Sequence, residues 1–402
     1  MQLFAGITGV NRLLRVPRLS GAETRLVVSP NHDTTYALAI LDLRGEPQAL
    51  TVPTIDRYYT FQLIDAWMHT VANIGTRATG GAPGTWVIVP PGFDGRLPPG
   101  VHRIESPTNQ LVILGRVRAV DDADAADAFA ATRALQLRPL SALTGARAAP
   151  PPPPMPKPVG TPQDVGGNGL GYFDELGEAL TVNPPVDGER RRVLRRAERL
   201  GVGAGRRPSR SASGARRRAL TKAVAAGMVT VADTTALDGR IVNGWEVLLG
   251  LGDQNGPEDL TRRAVIARNY WGPNVAAESV YPLLRTASDG QALTGAKDYV
   301  IHLGADDLPP VDAFWSYTVY GPDRFLVANS IDRYAISGDT PGLVRNADRS
   351  IDVYLSHRPP AGHGANWLPT PAGDYRLIMR LYLPGPAVLD GTYRYPPVEV
   401  AS

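Results

Sequence analysis

The chain has 402 residues, 43% of them apolar, which favours two or three cored domains over one. It contains no cysteine, so disulfides, thiolate metal sites and cysteine catalysis are excluded. Its 42 basic and 39 acidic residues nearly cancel, which argues against an electrostatic DNA binder even though all the basic residues but Lys157, Lys222 and Lys297 are arginine. Met1–Ser20 lacks a long apolar core and a small-residue cleavage site, and no run approaches the roughly 18 apolar residues of a membrane span. The expectation is a soluble, cytoplasmic protein with no membrane partner, export entering only if the chain began further upstream.

Leu3–Leu14 has the spacing of a short amphipathic helix that Pro17 stops. From Arg25 to Val120 the pattern is β, with strands expected at Thr35–Leu43, Ala49–Val52, Tyr58–Trp67, Thr85–Val89 and Gln110–Val120. Gly/Pro clusters such as Gly80–Gly84 and Pro98–Gly100 punctuate them, as in an antiparallel sandwich. Asp121 then caps a helix over Ala123–Leu137, and Ala149–Pro158 is a proline-dense connector. Phe173–Tyr281 reads as helical, with helices at Glu189–Leu200, Ala215–Met228 and Asp259–Tyr270. Twelve arginines lie between Arg190 and Arg218 without an interleaved aromatic, the pattern of solvated helix faces and not of a nucleic-acid stripe. The β pattern returns at Tyr299–Leu303, Ala313–Tyr320, Phe325–Ala328, Tyr334–Ile336, Ile351–Leu355, Asp374–Leu383 and Tyr393–Val398, a second sandwich of jelly-roll type.

The polar residues that sit out of place define candidate sites. Pro30-Asn31-His32-Asp33-Thr34-Thr35-Tyr36 reads as a tight turn feeding a buried strand. Period two places Asp65 on the apolar face of its strand with Tyr59, Phe61 and Leu63, where a carboxylate needs a partner or a cavity. His69 follows just beyond, so the turn residues are its expected neighbours. Two readings stay open. Asn31, Asp33 and Asp65 tie loops to backbone N–H groups, or Asp33, Asp65 and one of His32 or His69 line a pocket as metal ligands or an acid–base pair. No H-x-H or H-E-x-x-H spacing supports a metal. In the second β region, Trp315, Arg333, Tyr334 and Trp367 either pack a core or, with Asn31 and Tyr36, contact a small ligand or sugar.

Asn31-His32-Asp33-Thr34-Thr35-Tyr36 resembles the N-x-D-T-x-Y signature of domain of unknown function 1254. Asp56-Arg57-Tyr58-Tyr59, Asp65 and Ile74-Gly75-Thr76-Arg77 resemble further blocks of that domain. Ala313-Phe314-Trp315-Ser316, Asn329, Arg333-Tyr334, Asn366-Trp367-Leu368-Pro369 and Arg380-Leu381-Tyr382 resemble domain of unknown function 1214. The resemblance implies an N-terminal immunoglobulin-like β-sandwich, an α-helical connector domain and a C-terminal jelly-roll-like β-sandwich, and it implies no established reaction.

The expected organisation is therefore mainly β with a helical middle: a lead-in over 1–24, a sandwich over 25–146, a proline-rich linker and helical domain over 147–285, and a second sandwich over 286–402. The functional expectation is binding of a small molecule or carbohydrate. The alternatives are a hydrolase or lyase built on Asp33, Asp65 and His69, and an oligomeric scaffold. Nothing in the sequence names a cofactor, and a homo-oligomer stays open.

Overall fold

The structure, a computed structural model, describes residues 6, 9–25, 27–154, 169–185, 188–253 and 259–401. Leu3–Ala5, Ile7 and Thr8 of the expected lead-in helix and Met155–Pro158 of the connector lie outside the described residues.

Alternation and punctuation build the first β domain as the sequence suggests. β1 (Leu13–Arg15), β2 (Thr34–Asp42), β4 (Tyr59–Asp65), β5 (Thr70–Gly75) and β8 (Gln110–Arg118) form one antiparallel sheet in the order β1-β2-β8-β4-β5. β3 (Gln48–Val52), β6 (Gly84–Val89), β7 (His102–Glu105) and β9 (Gln136–Pro139) form the other, in the order β7-β6-β3-β9. Ala37, Leu41, Phe61, Leu63 and Ile113 of the first sheet meet Leu50, Trp86 and Ile88 of the second in a common core. The first sheet is also covered on its outer face, where Leu38, Ile40, Ile64, Val112 and Leu114 cluster beneath Met68 and Trp271. Burial on both faces is why β2 and β8 read as almost unbroken apolar runs.

Two expectations fail here for one reason. Leu13–Arg15 is a strand and not the end of a helix, because it pairs with Ala37–Ala39 of β2. The helix capped by Asp121 ends at Ala131, because Gln136–Pro139 pairs with β3. In both cases pairing with a distant strand outweighs the local helical pattern.

The middle is helical, as expected, with its long helices at Gly171–Val182, Gly188–Glu198, Gly214–Ala232 and Leu260–Asn269. Asp259 caps the last through its carboxylate, which accepts the Thr261 and Arg262 N–H groups. The helical reading of Phe173–Tyr281 runs too far, however. β10 (Arg240–Val242), β11 (Trp245–Val247) and β12 (Ser279–Val280) lie inside it and hydrogen-bond into the C-terminal sheet.

That sheet runs β10-β11-β13-β19-β15-β16, with β13 (Leu283–Leu284), β15 (Val311–Tyr320), β16 (Ala335–Ser337) and β19 (Arg376–Pro384), and β12 pairs with β19. It packs against β18-β17-β14-β20, formed by β14 (Tyr299–Leu303), β17 (Ile351–Ser356), β18 (Trp367–Pro369) and β20 (Glu399–Val400). The shared core takes Trp245, Tyr317, Met379 and Leu381 from one side and Tyr299, Ile301, Val353 and Leu368 from the other. Phe325–Ala328 and Tyr393–Val398 are not strands. Phe325 lies instead under the Arg25 guanidinium, 4.6 Å from ring to Cζ, and Tyr393 and Tyr395 pack edge to face at 4.9 Å. Among the described residues no helix is long and apolar enough to cross a membrane.

Candidate functional site

Period two decides what each sheet shows its neighbour. On β8 the even residues Val112, Leu114 and Arg116 face outward, and on β2 Tyr36 lies directly across from Arg116. On β19 the odd residues Leu377, Met379 and Leu381 enter the sandwich core, so Arg376, Ile378, Arg380 and Tyr382 face out. These two outer faces oppose one another across the Asn31 turn. Asn31 Nδ2 donates to the Tyr382 hydroxyl (2.6 Å), Ser316 Oγ donates to Asp33 Oδ2 (2.6 Å), and the Tyr320 hydroxyl donates to the Pro30 carbonyl (2.6 Å). A second joint forms nearby, where the buried Glu278 carboxylate accepts from the Tyr58 hydroxyl and from Arg77 Nε, both at 2.8 Å.

The faces do not close completely. Between them, walled by Thr234, Leu251 and Asn269–Pro273 of the middle region, lies a mainly apolar cavity of about 350 Å³. Its volume falls within the range of small-molecule sites, roughly 300–1,000 Å³. Gly272 helps shape it. Its φ of +71° suits glycine, and a Cβ there would stand 2.9 Å from Leu114 Cδ2.

The deep end of the cavity is polar. The buried Arg116 donates to Gln62 Oε1 (3.1 Å) and to the Gly272 carbonyl (2.9 Å), and the buried Arg380 donates to Thr318 Oγ1 (2.7 Å) and to the Ser29 carbonyl (3.2 Å). Three phenols stand beside them. Tyr36 accepts from the Asn31 N–H, Tyr382 from Asn31 Nδ2, and Tyr281 from Asn274 Nδ2 and Ser279 Oγ. Among the described residues none of the three hydroxyls donates in return, so each keeps a proton for an acceptor in the cavity. Burial first, and Tyr281 second, push the Tyr382 hydroxyl well above the usual phenol value, which keeps that donor protonated.

Residues 10–139 match the model described as Protein of unknown function (DUF1254), and residues 278–386 match Protein of unknown function (DUF1214). The chain belongs to the tandem DUF1254–DUF1214 family. The VPA0106 protein from Vibrio parahaemolyticus has a similar structure, with a TM-score of 0.71 at 24% identity over 93% of this chain and 90% of that one, which establishes a shared fold. A putative uncharacterised protein from Burkholderia cenocepacia gives a TM-score of 0.48 at 14% identity over 97% of this chain and 80% of that one. No curated protein matches the chain.

The blocks that carry the resemblance in the two domains touch one another. Asn31 and Asp33 of the DUF1254 turn meet Tyr382 and Ser316 of DUF1214. The ring of Tyr58 packs edge-on against Phe314 and Tyr382 at 5.8 and 5.2 Å. The tandem arrangement is thus one interface whose halves lie in different domains.

Of the residues expected at a site, Asn31 and Tyr36 line the cavity and the others do not. Asp33 faces Ser316 and Arg118, the latter at 3.7 Å. Asp65 accepts the Trp67 and His69 N–H groups on Oδ1, both at 2.8 Å, and its other oxygen lies 3.6 Å from His69 Nδ1. The sheet register separates the two carboxylates. Thr34 pairs with Arg118 and Asp65 with Leu111, so the two aspartates sit at opposite ends of β8, their backbones roughly 25 Å apart. Asp33, Asp65 and His69 therefore do not share a pocket, and the neighbours of the Asn31 turn are Ser316 and Tyr382 and not Asp65 and His69. Arg333 donates to the carbonyls of Gly364, Ala365 and Trp367, and Trp367 Nε1 donates to the Ser356 carbonyl. Trp315 is buried in the C-terminal core, and Tyr334 packs edge-on against His32 at 5.1 Å. Arg116, Arg380, Tyr281 and Tyr382 are the cavity residues that the sequence reading missed as a site.

Asp65 has a consequence for stability. Burial pushes its carboxyl up to about 6, against the opposing pull of the His69 and Trp67 N–H groups and of Arg190 and Arg263. An unfolded aspartate titrates near about 3.9, so the native state holds the extra proton between those values and loses stability as pH rises through them. The side chain has no exposed surface, so the full shift of roughly 3 kcal/mol applies, at about 1.4 kcal/mol per pH unit. Asp65→Asn keeps the oxygen that accepts the two N–H groups and carries no charge. Urea unfolding should find it more stable than the parent at pH 8 by up to about 3 kcal/mol, with the difference gone near pH 4. An equal difference at both pH values would show that the carboxyl is not desolvated.

Proposed function

We propose that the protein binds an apolar small molecule in the cavity between its two β domains, through an oxygen acceptor held by Tyr36, Tyr281 and Tyr382. The observation that carries this reading is the set of three phenols that accept hydrogen bonds from the protein and donate none among the described residues. A mainly apolar space with a few convergent donors is the usual form of a small-molecule site. Trp315 and Trp367 are buried in the C-terminal domain and offer no open ring face, which favours an apolar ligand over a sugar.

The test is a thermal-shift series on the full chain with aliphatic and aromatic alcohols and ketones against monosaccharides. Ligand at about 100 times its Kd stabilises the native state by about 2.7 kcal/mol, enough to raise the Tm measurably. The alcohols and ketones should shift Tm and the sugars should not, and Tyr382→Phe should weaken the shift. Equal binding by Ile378→Trp, which fills the cavity wall, would place the ligand elsewhere.

A further inference from the structure

The mouth of the cavity carries charges that its interior does not explain. Arg285, Arg324 and Arg376 all line it. The strand register makes two of them neighbours. β13 pairs Leu283 with Ile378 and Leu284 with Leu377, so the next residue, Arg285, lies opposite Arg376. Tyr320, the last residue of β15, pairs with Arg376, and the turn that follows carries Arg324. Like charges placed across a sheet destabilise it, and burial together with the neighbouring arginines lowers Arg324 and Arg376 below the usual guanidinium value.

The backbone adds to this cost. Arg324 has a φ of +69°, a left-handed conformation that glycine adopts freely and an arginine does not. Its guanidinium has no hydrogen-bond partner among the described residues, whereas its carbonyl accepts the Ser29 N–H at 2.8 Å. Arg376 gives one bond to the Pro322 carbonyl (3.2 Å), and Arg285 pairs with Glu246 at 2.6 Å. Among the described residues one acid, Glu246, thus pairs directly with this cluster, while Asp323 is engaged by Arg25. Arg116 and Arg380 at the deep end, by contrast, are committed to protein acceptors. The outward face of β19 therefore runs Arg376, Ile378, Arg380, Tyr382 from mouth to floor, roughly 20 Å of wall with the cluster of Arg285, Arg324 and Arg376 at its outer end.

We propose that the ligand of this cavity is an amphipathic anion, its phosphate-like oxyanion held by Arg285, Arg324 and Arg376 at the mouth, its apolar body lying along Ile378, Leu283 and Leu114, and an oxygen acceptor at its inner end meeting Tyr36, Tyr281 and Tyr382. Guanidinium forks match a phosphate bidentately, and three of them suit a dianion better than a single carboxylate. This inference rests on the cavity reading and adds the class of ligand.

Octyl phosphate, octanoate and 1-octanol separate the two ideas, measured on the full chain by calorimetry and thermal shift. The expected order of affinity is phosphate, then carboxylate, then alcohol. Octyl phosphate should bind at least ten-fold tighter than octanol at low salt, with the advantage shrinking as salt screens the exposed head. Arg324→Gly removes the guanidinium and relieves the backbone, so its ligand-free Tm should equal or exceed the parent's. Its preference for phosphate over alcohol should fall several-fold. Arg376→Gln should lower the same preference.

If octanol binds as well as octyl phosphate, or both variants keep the full preference, the anion assignment is wrong and the cavity reading stands. If none of the three compounds binds, both are wrong. Inorganic phosphate binding as tightly as octyl phosphate would overturn the amphipathic ligand. Co-sedimentation with phosphatidic acid vesicles without octyl phosphate binding would move the anion site to a membrane surface and overturn the proposal equally.

Discussion

Asp33→Ala should lower the stability of the chain by about 2–4 kcal/mol, the cost of an orphaned buried hydroxyl together with a weakened charge pair. The carboxylate is 4% exposed, accepts from the fully buried Ser316 hydroxyl, and stands 3.7 Å from an Arg118 guanidinium that is itself 7% exposed. Without it, Ser316 loses its acceptor inside a buried interface. Arg118 then keeps the backbone carbonyls of residue 33 and Ala119, Ser337 Oγ, and Asp339 at 2.6 Å, a carboxylate 48% exposed and therefore a weaker counter-charge. The turn itself should survive, because Asn31 Oδ1 accepts the Asp33 backbone N–H at 2.7 Å and alanine retains that group. Asp33→Asn keeps an acceptor for Ser316 and should lose about half as much. Urea midpoints at constant m-value measure both. Losses under about 1 kcal/mol in both variants would mean that the carboxylate does not join the domains.

That prediction follows from a part of the fold that was partly legible beforehand. The turn at Asn31–Tyr36 declares itself through its run of short hydrogen-bonding side chains, and Asp65 through its place on an apolar strand face. Neither names a partner, because the partners lie far along the chain: Ser316 is separated from Asp33 by 283 residues. Long strands such as β2 and β8 show in the sequence because each carries enough residues to display a period. Three-residue strands such as β1, β10 and β11 cannot, and only pairing with a neighbour makes them strands. Arg116 and Arg380 were hidden for a related reason. On an isolated strand, an arginine among apolar residues marks a solvent face, and only the stacking of the two domains turns that face inward. Trp271-Gly272-Pro273 reads as the end of a helix and proves also to be a cavity wall.

Glu278 is the second place where the two domains depend on one side chain, and its removal should cost nearly as much. Glu278→Ala leaves the Tyr58 hydroxyl, on a residue 8% exposed, with no acceptor among the described residues, at about 1–3 kcal/mol for an orphaned buried group. Arg77 is 35% exposed and can turn to water, so its lost bond adds little. The total expected is about 2–4 kcal/mol. Glu278→Gln keeps an acceptor for Tyr58 and gives up only the charge facing Arg77, so its loss should stay near 1 kcal/mol. The two variants also bear on the cavity. Glu278 immediately precedes β12, whose Ser279 and Val280 pair with Tyr382 and Leu381. Releasing that anchor frees the strand pair that positions Tyr382, so Glu278→Ala should weaken ligand binding together with stability, and Glu278→Gln neither by much. Equal urea midpoints for the two variants would show that Tyr58 finds another partner and that the joint does not rest on this carboxylate.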